Sequence, residues 1–125
     1  MHASLHQNLF NQNQIPYHMP EKRIPKPLIP VIKDYIQTLK NDNLPIKHVF
    51  LFGSYAKGHP HPWSDVDLCI ISSKFSDYID AIQYLLSKRK LNPQYPIEPI
   101  GIHPKDFKKN TPLAYEIKNT GIMII

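Results

Sequence analysis

Apolar residues recur every three or four positions in three stretches of the chain, and this spacing predicts three helices. The first covers residues 28–39. The second covers residues 76–90, with Ser76 at its N-cap, where a hydroxyl group can accept a backbone hydrogen bond. Its apolar face is expected to consist of Ile79, Ile82, Leu85 and Leu86. The third is a short helix over residues 112–118, and Gly121 is expected to end it.

Four shorter apolar stretches are rich in β-branched and aromatic residues and predict strands. They cover residues 48–52, 65–72, 96–102 and 122–125. Proline lacks the N–H group that a central strand donates, so the two prolines of the third stretch predict an edge or irregular strand. The order of helices and strands predicts an α/β or α+β domain, with one small mixed sheet flanked by helices.

The length of 125 residues suits one domain with a single core. Residues 1–25 are rich in Asn, Gln and His without apolar periodicity, which predicts a flexible arm before a folded domain of residues 26–125. The sequence shows neither a membrane span nor the pattern of a secretory signal. The single cysteine, Cys69, excludes an internal disulfide and is expected to be buried and unreactive. A cytoplasmic protein is therefore expected.

The formal net charge of +5 fits an anionic partner such as a nucleotide, but it does not by itself indicate DNA binding. The neighbouring cations Lys88, Arg89 and Lys90 are interpreted as a solvated face, because exposure is the norm for these side chains. The chain also has no segment that would form a template channel. A nucleic-acid partner is therefore not expected.

Two aspartates open the second predicted strand, within the stretch LFGSYAKGHPHPWSDVDLCII (51–71). Residues two apart in a strand share a face, so Asp65 and Asp67 are expected about 6.6 Å apart on one face. Their like charges repel each other unless a cation lies between them. Mg²⁺ binds through one or two carboxylates plus substrate phosphates, so the pair predicts a magnesium site with a phosphorylated ligand.

The turn after the first predicted strand supplies groups that could hold the phosphates. Gly53 and Ser54 stand where backbone N–H groups can meet an anion, and Gly53 lets the ligand approach closely. Lys57 adds a cation one turn later. A P-loop is excluded, because a His-Pro pair follows Gly58 where a P-loop has Lys and Ser or Thr.

These residues also carry a resemblance to a known family. Gly53-Ser54, followed after ten residues by Asp65-Val66-Asp67, resembles the signature of the DNA polymerase β-like nucleotidyltransferase superfamily. The likeness is greatest to the minimal nucleotidyltransferases, a group that includes the MntA-type antitoxins, and it extends to Lys57 and Ser64. It is specific over about 25 residues, and beyond them it rests on the order of helices and strands. The polymerase β-like nucleotidyltransferase fold is expected on this ground.

The resemblance implies a two-metal nucleotidyl transfer, with two Mg²⁺ ions, or Mn²⁺ in their place, held by Asp65 and Asp67. It also implies a third carboxylate on a neighbouring strand, and Glu98 stands where the family has that ligand. A Glu followed by Pro99 departs from the pattern, so two alternatives stay open, namely Asp106 in its place and an incomplete site. The residues implied to bind the nucleotide are Gly53, Ser54, Lys57 and Ser64.

The implied reaction moves an NMP group, first of all AMP from ATP, to a hydroxyl acceptor. In the minimal group the acceptor is often a tyrosine of a HEPN-type partner toxin, so an antitoxin with a protein partner, or an oligomer of this chain, is implied. Two alternatives are a catalytically weak partner-binding module and a small-molecule nucleotidyltransferase of the antibiotic-modifying kind. His59, His61 and Trp63 are expected in a loop near the substrate, with Trp63 either stacking on a base or covering the core.

Overall fold

The computed structural model describes residues 24–125, and residues 1–23, most of the predicted N-terminal arm, lie outside the described part. Ile24, which the prediction counted with that arm, is buried in the core. The described chain forms five helices and four strands. In order they are α1 (Leu28–Asn41), β1 (His48–Phe52), α2 (Gly53–Lys57), β2 (Val66–Ile71), α3 (Tyr78–Lys88), β3 (Ile97–Ile102), α4 (Pro104–Phe107), α5 (Pro112–Thr120) and β4 (Ile122–Met123).

The four strands form one sheet in the order β3-β2-β1-β4. β1 is antiparallel to both β2 and β4, whereas β2 and β3 are parallel. Parallel neighbours need a crossover connection, and α3 provides it here. The predicted mixed sheet flanked by helices is therefore confirmed, and β3 lies at an edge, as its prolines indicated.

Both faces of the sheet are covered, because alternate residues of each strand point to opposite sides. On one face, Leu51 and Leu68 pack with α1 and α3 in the main core cluster. On the other face, Phe50 and Cys69 pack with Ile117 of α5 in a smaller cluster. Asp67, one of the two aspartates predicted to bind a metal, lies on this second face near the start of β2. Within residues 24–125, no helix is long and apolar enough to cross a membrane.

The start of α3 differs from the prediction. The N-cap is Asp77, whose carboxylate accepts a hydrogen bond from the Asp80 N–H at 2.9 Å, and it is not Ser76. The buried face consists of Ala81 and Leu85, whereas Ile79, predicted on this face, is 59% exposed. The short side chain of Ala81 lets α3 pack closely against β3. The two elements are so close that a Cβ added at Gly101 of β3 would lie 3.0 Å from the Ala81 Cβ.

Candidate functional site

The turn from β1 into α2 places a glycine directly against one of the predicted aspartates. Gly53 has a φ of +75°, which side chains other than glycine rarely adopt. A Cβ at this position would lie 2.1 Å from Asp67 Oδ2, a distance that no real contact allows. Phe52, the last residue of β1, pairs with Asp67 across the two strands. Glycine is therefore required here for its conformation and for the close approach of the carboxylate.

Three predicted carboxylates lie at one end of the sheet. Asp67 pairs with Glu98 in the parallel ladder of β2 and β3, so the two residues lie on neighbouring strands about 4.8 Å apart. Asp65 precedes β2 by one residue. Val66 and Leu68, which alternate with the aspartates, point into the main core. Asp67 therefore lies on the opposite face of the sheet. The sharing of that face by Asp65 stays a prediction, because Asp65 lies outside the strand.

Asp67 is partly buried and lies near several charged side chains. The pKa of Asp67 is raised from 3.8 to about 6, first by burial and then by repulsion from Asp65, Glu98 and Glu116, while Lys57 lowers it. Burial and like charges both disfavour the ionised form of a carboxyl group. We use the name carboxylate cluster for Asp65, Asp67, Glu98 and Glu116. Such a group favours the binding of a cation, which would relieve the repulsion.

Glu116 was missed by the sequence analysis. It lies in α5, and its Oε2 atom is 3.2 Å from Lys57 Nζ at the end of α2. Both side chains are about 40% exposed, so this ion pair contributes little to stability. It does hold the Lys57 ammonium group beside the carboxylate cluster.

Glu98 is paired with a cation that the sequence analysis placed in solvent. Arg89 Nη1 lies 3.3 Å from Glu98 Oε1 and also donates a hydrogen bond to the Ile97 carbonyl oxygen at 2.5 Å. The neighbouring cations have other partners. Lys88 forms an ion pair with Asp42, and Lys90 forms one with Asp34. Arg89 and Lys90 are exposed, as the interpretation of a solvated face expected, and Lys88 is partly exposed. The ion pairs that the three cations form were not predicted.

The donors of the carboxylate cluster fit a hard divalent cation in kind, because they are oxygen ligands that repel each other. In residues 24–125, however, no three His, Cys, Asp or Glu side chains are grouped closely enough to hold a metal ion by themselves. Mg²⁺ takes one or two carboxylates together with phosphate oxygens. The structure therefore fits a metal that Asp65 and Asp67 hold jointly with a phosphorylated ligand.

The two serines predicted to bind the nucleotide have different surroundings. Ser54 is partly buried at the start of α2, and its hydroxyl group has no hydrogen-bond partner among the described residues. Ser64 is only 4% exposed, and its Oγ atom accepts a hydrogen bond from the His61 N–H at 2.8 Å. Ser64 thus fixes the loop before Asp65, a role that the sequence analysis did not assign to it.

The same loop exposes an indole ring to solvent. Trp63 is 82% exposed, so it does not cover the core. The backbone N–H of Trp63 donates a hydrogen bond to His61 Nδ1 at 3.2 Å. Asp106, the alternative to Glu98, lies in α4 beyond the opposite end of β3 and pairs with Lys109. Cys69 is fully buried as expected, and burial raises the pKa of its thiol to about 12.

Residues 32–122 match the family model of the nucleotidyltransferase domain. Two similar solved structures are of the toxin–antitoxin MntA–HpeT. One carries two Asp-to-Glu changes (19% identity, TM-score 0.53, 74% of this chain and 71% of that chain), and the other a Tyr-to-Ala change (21%, 0.51, 74% and 70%). A toxin–antitoxin with AMP-PNP is 23% identical over 74% of this chain and 71% of that chain, with a TM-score of 0.48. No curated protein matches the sequence. At these identities the structural likeness shows the fold.

Proposed function

The chain belongs to the nucleotidyltransferase domain family, and on this premise we propose that it transfers an NMP group, AMP from ATP, to a hydroxyl group of a second molecule. In this reaction the acceptor oxygen bonds to the α-phosphorus, the bond from that phosphorus to the β-phosphate oxygen breaks, and pyrophosphate leaves. The acceptor gives up its hydroxyl proton. The observation that carries the proposal is the carboxylate cluster at the turn formed by Gly53 and Ser54.

The residues of the site divide into two groups in this proposal. Asp65 and Asp67 would hold Mg²⁺, or Mn²⁺, with Glu98 completing a site for two ions. When bound, the metal would neutralise phosphate charge and lower the pKa of the attacking hydroxyl group. Ser54, through its hydroxyl group, and Lys57, through its ammonium group, would bind the polyphosphate beside Gly53. Ser64 would act on the nucleotide through the loop that it fixes.

The raised pKa of Asp67 supports this assignment. A carboxylate that is disfavoured by its neighbours gains most from a cation, so metal binding and ionisation of Asp67 would be coupled. Gly53 adds to this, because its missing Cβ leaves Asp67 in contact with the turn that would hold the phosphates.

The acceptor in this proposal is a tyrosine of a HEPN-type partner toxin, and the protein would act as its antitoxin. Support comes from the fold, since the similar structures with TM-scores above 0.5 are both of a toxin–antitoxin. The exposed Trp63 beside Asp65 offers a contact to such a partner.

A second candidate is a module of the same fold that binds a partner without catalysis. It is favoured by one observation, namely that no three ligands are grouped for a metal among the described residues. The two candidates differ in the effect of Asp65→Asn. An enzyme would lose nucleotide transfer and keep its partner, whereas a binding module would keep its full biological activity.

The test is transfer of label from α-³²P-ATP, in the presence of Mg²⁺, to a HEPN-type toxin that binds this protein. We expect a labelled acceptor with the wild type and none with Asp65→Asn, although both forms bind the acceptor in a pull-down. Equal neutralisation of the partner by both forms, without label, would support the binding module and contradict the enzyme.

A further inference from the structure

An ion pair joins α5 to the end of α2 beside the turn that is proposed to hold the phosphates. Glu116 Oε2 lies 3.2 Å from Lys57 Nζ, and Lys57 forms no ion pair with another acidic residue within residues 24–125. Both side chains leave from fixed backbone. Lys57 follows the buried Ala56 in α2, and Glu116 precedes Ile117, which is fully buried between α5 and the sheet. The position of the pair is therefore set by the packing of the two helices.

Both charges of this ion pair lie within electrostatic reach of Asp67. Glu116 raises the pKa of Asp67, and Lys57 lowers it. Glu116 therefore opposes an anionic ligand in two ways. It neutralises the ammonium group that would bind the polyphosphate, and it adds a negative charge to those of Asp65 and Asp67. The first effect is the larger, because the two charges of the pair are in direct contact.

The metal-free nucleotide and its complex with a divalent cation respond differently to this arrangement. Metal-free ATP carries more negative charge, because Mg²⁺ neutralises part of the polyphosphate in the complex. The metal-free form thus depends more on Lys57 for a positive charge, and it is repelled more by Glu116. In the complex, Glu116 also attracts the cation, which offsets its repulsion of the phosphates.

We propose that Glu116 is a specificity-determining residue that, through its ion pair with Lys57, disfavours metal-free nucleotide and makes the site select the complex of nucleotide and divalent cation. This inference rests on the proposed function, because it requires that Lys57 bind the polyphosphate. Specificity is a difference between two affinities, so a group that opposes the wrong ligand is sufficient to produce it. The Glu116 side chain is 40% exposed, so the pair is weak and can be displaced by phosphate.

The chain offers a matched control on another helix. Asp34 of α1 forms an ion pair with Lys90, and the separation of nitrogen and oxygen is again 3.2 Å. Neither residue is among the charged groups that shift the pKa of Asp67. Glu116→Gln and Asp34→Asn each remove one negative charge and release one lysine. Any effect of net charge alone would therefore be shared by the two variants.

The experiment is an NMR titration of the full chain with ATP, once with excess EDTA and once with Mg²⁺, in which the amide signals of Gly53 and Ser54 report binding. We expect Glu116→Gln to tighten the binding of metal-free ATP by about three- to tenfold and to leave binding with Mg²⁺ within about twofold. Asp34→Asn should leave both affinities within about twofold of the wild type. In the background of Lys57→Gln, the gain from Glu116→Gln should fall to about twofold or less, because no ammonium group is released.

Three outcomes would overturn the inference and leave the proposed function standing. Unchanged or weaker binding of metal-free ATP by Glu116→Gln would show that the ion pair does not oppose this form. An equal gain with EDTA and with Mg²⁺ would show that Glu116 does not discriminate between the two forms. An undiminished gain in the background of Lys57→Gln would show that the effect does not pass through the ion pair. Loss of folding cannot imitate the expected result, because the variant gains affinity.

One further outcome concerns the site as a whole. If the wild type binds no ATP in the presence of Mg²⁺, the proposed function itself is overturned, and the inference with it.

Discussion

We expect Asp67→Asn to raise the free energy of unfolding at neutral pH, although the same change removes a proposed metal ligand. The Asp67 carboxylate is partly buried, lies near three other carboxylates, and accepts no hydrogen bond from the described residues. Asparagine has nearly the same shape and carries no charge. Replacement therefore removes the cost of burial and repulsion while the fit against Gly53 is kept.

The magnitude follows from the pKa. The pKa of Asp67 is raised from 3.8 to about 6. A difference of one in pKa between the folded and the unfolded chain corresponds to about 1.4 kcal/mol. This limits the charge penalty to about 3 kcal/mol, present in full above pH 6. Because Asp67 is only partly buried, solvent screening reduces the value, and we expect a gain of about 1–2 kcal/mol. For a domain of this size the melting temperature would rise by about 5–10 °C.

The sign of the pH dependence is fixed by the same argument. Well below pH 3.8, Asp67 is protonated in the folded and unfolded chains, so the variant gains nothing. Between about pH 4 and 6 the unfolded chain releases its proton before the folded chain does, and the wild type loses stability relative to the variant. The gain should therefore develop over this interval and stay constant above it.

The assay is urea unfolding of both proteins without metal at pH 4 and 7.5. Asp80→Asn is the control. This exposed aspartate lies in the first turn of α3, where a negative charge stabilises the helix. Its neutralisation should therefore lower the free energy of unfolding by a few tenths of a kcal/mol. Equal stability of Asp67→Asn and wild type at pH 7.5, or an equal gain at both pH values, would refute the reasoning.

Three further substitutions or reagents test the fold around the site. Gly53→Ala is expected to cost about 1–3 kcal/mol in urea unfolding, because φ is +75° and the new Cβ would meet Asp67 Oδ2; an unchanged midpoint would contradict the close approach. Leu85→Ala should cost about 2–5 kcal/mol, since Leu85 is fully buried between α3 and the sheet, and a loss below about 1 kcal/mol would contradict that packing. The buried Cys69 thiol, whose pKa is raised to about 12, should react with a disulfide reagent at pH 8 only after unfolding, and rapid labelling of the native protein would show that it is accessible.

The sheet and most helices could be predicted because their signals are local. The apolar spacing of residues 28–39 and the β-branched and aromatic stretch HVFLF each decide an element without information from the rest of the chain. The same holds for Gly53, Asp65 and Asp67, which form a motif within 15 residues. Membership of the nucleotidyltransferase family, predicted from that motif, is confirmed.

Apart from the N-cap of α3, which is Asp77 and not Ser76, the errors concern contacts between distant parts of the chain. The buried face of α3 depends on close packing of Ala81 against Gly101. The apolar spacing alone predicted that Ile79 would be buried, but its side chain is exposed. Glu116 reaches Lys57 across 59 positions, and Arg89 reaches Glu98 only because α3 crosses back to a parallel strand. A single sequence carries no signal for such pairs, since each charge alone is typical of a solvent-exposed helix position.

Calorimetric titration of the full chain with ATP, with and without Mg²⁺, tests the central claim most directly. The account predicts binding that requires Mg²⁺, is retained with Mn²⁺, and is lost in Asp67→Asn even though that variant is the more stable protein. Binding of no NTP in the presence of either metal, or Mg²⁺-dependent binding that Asp67→Asn leaves unchanged, would contradict it.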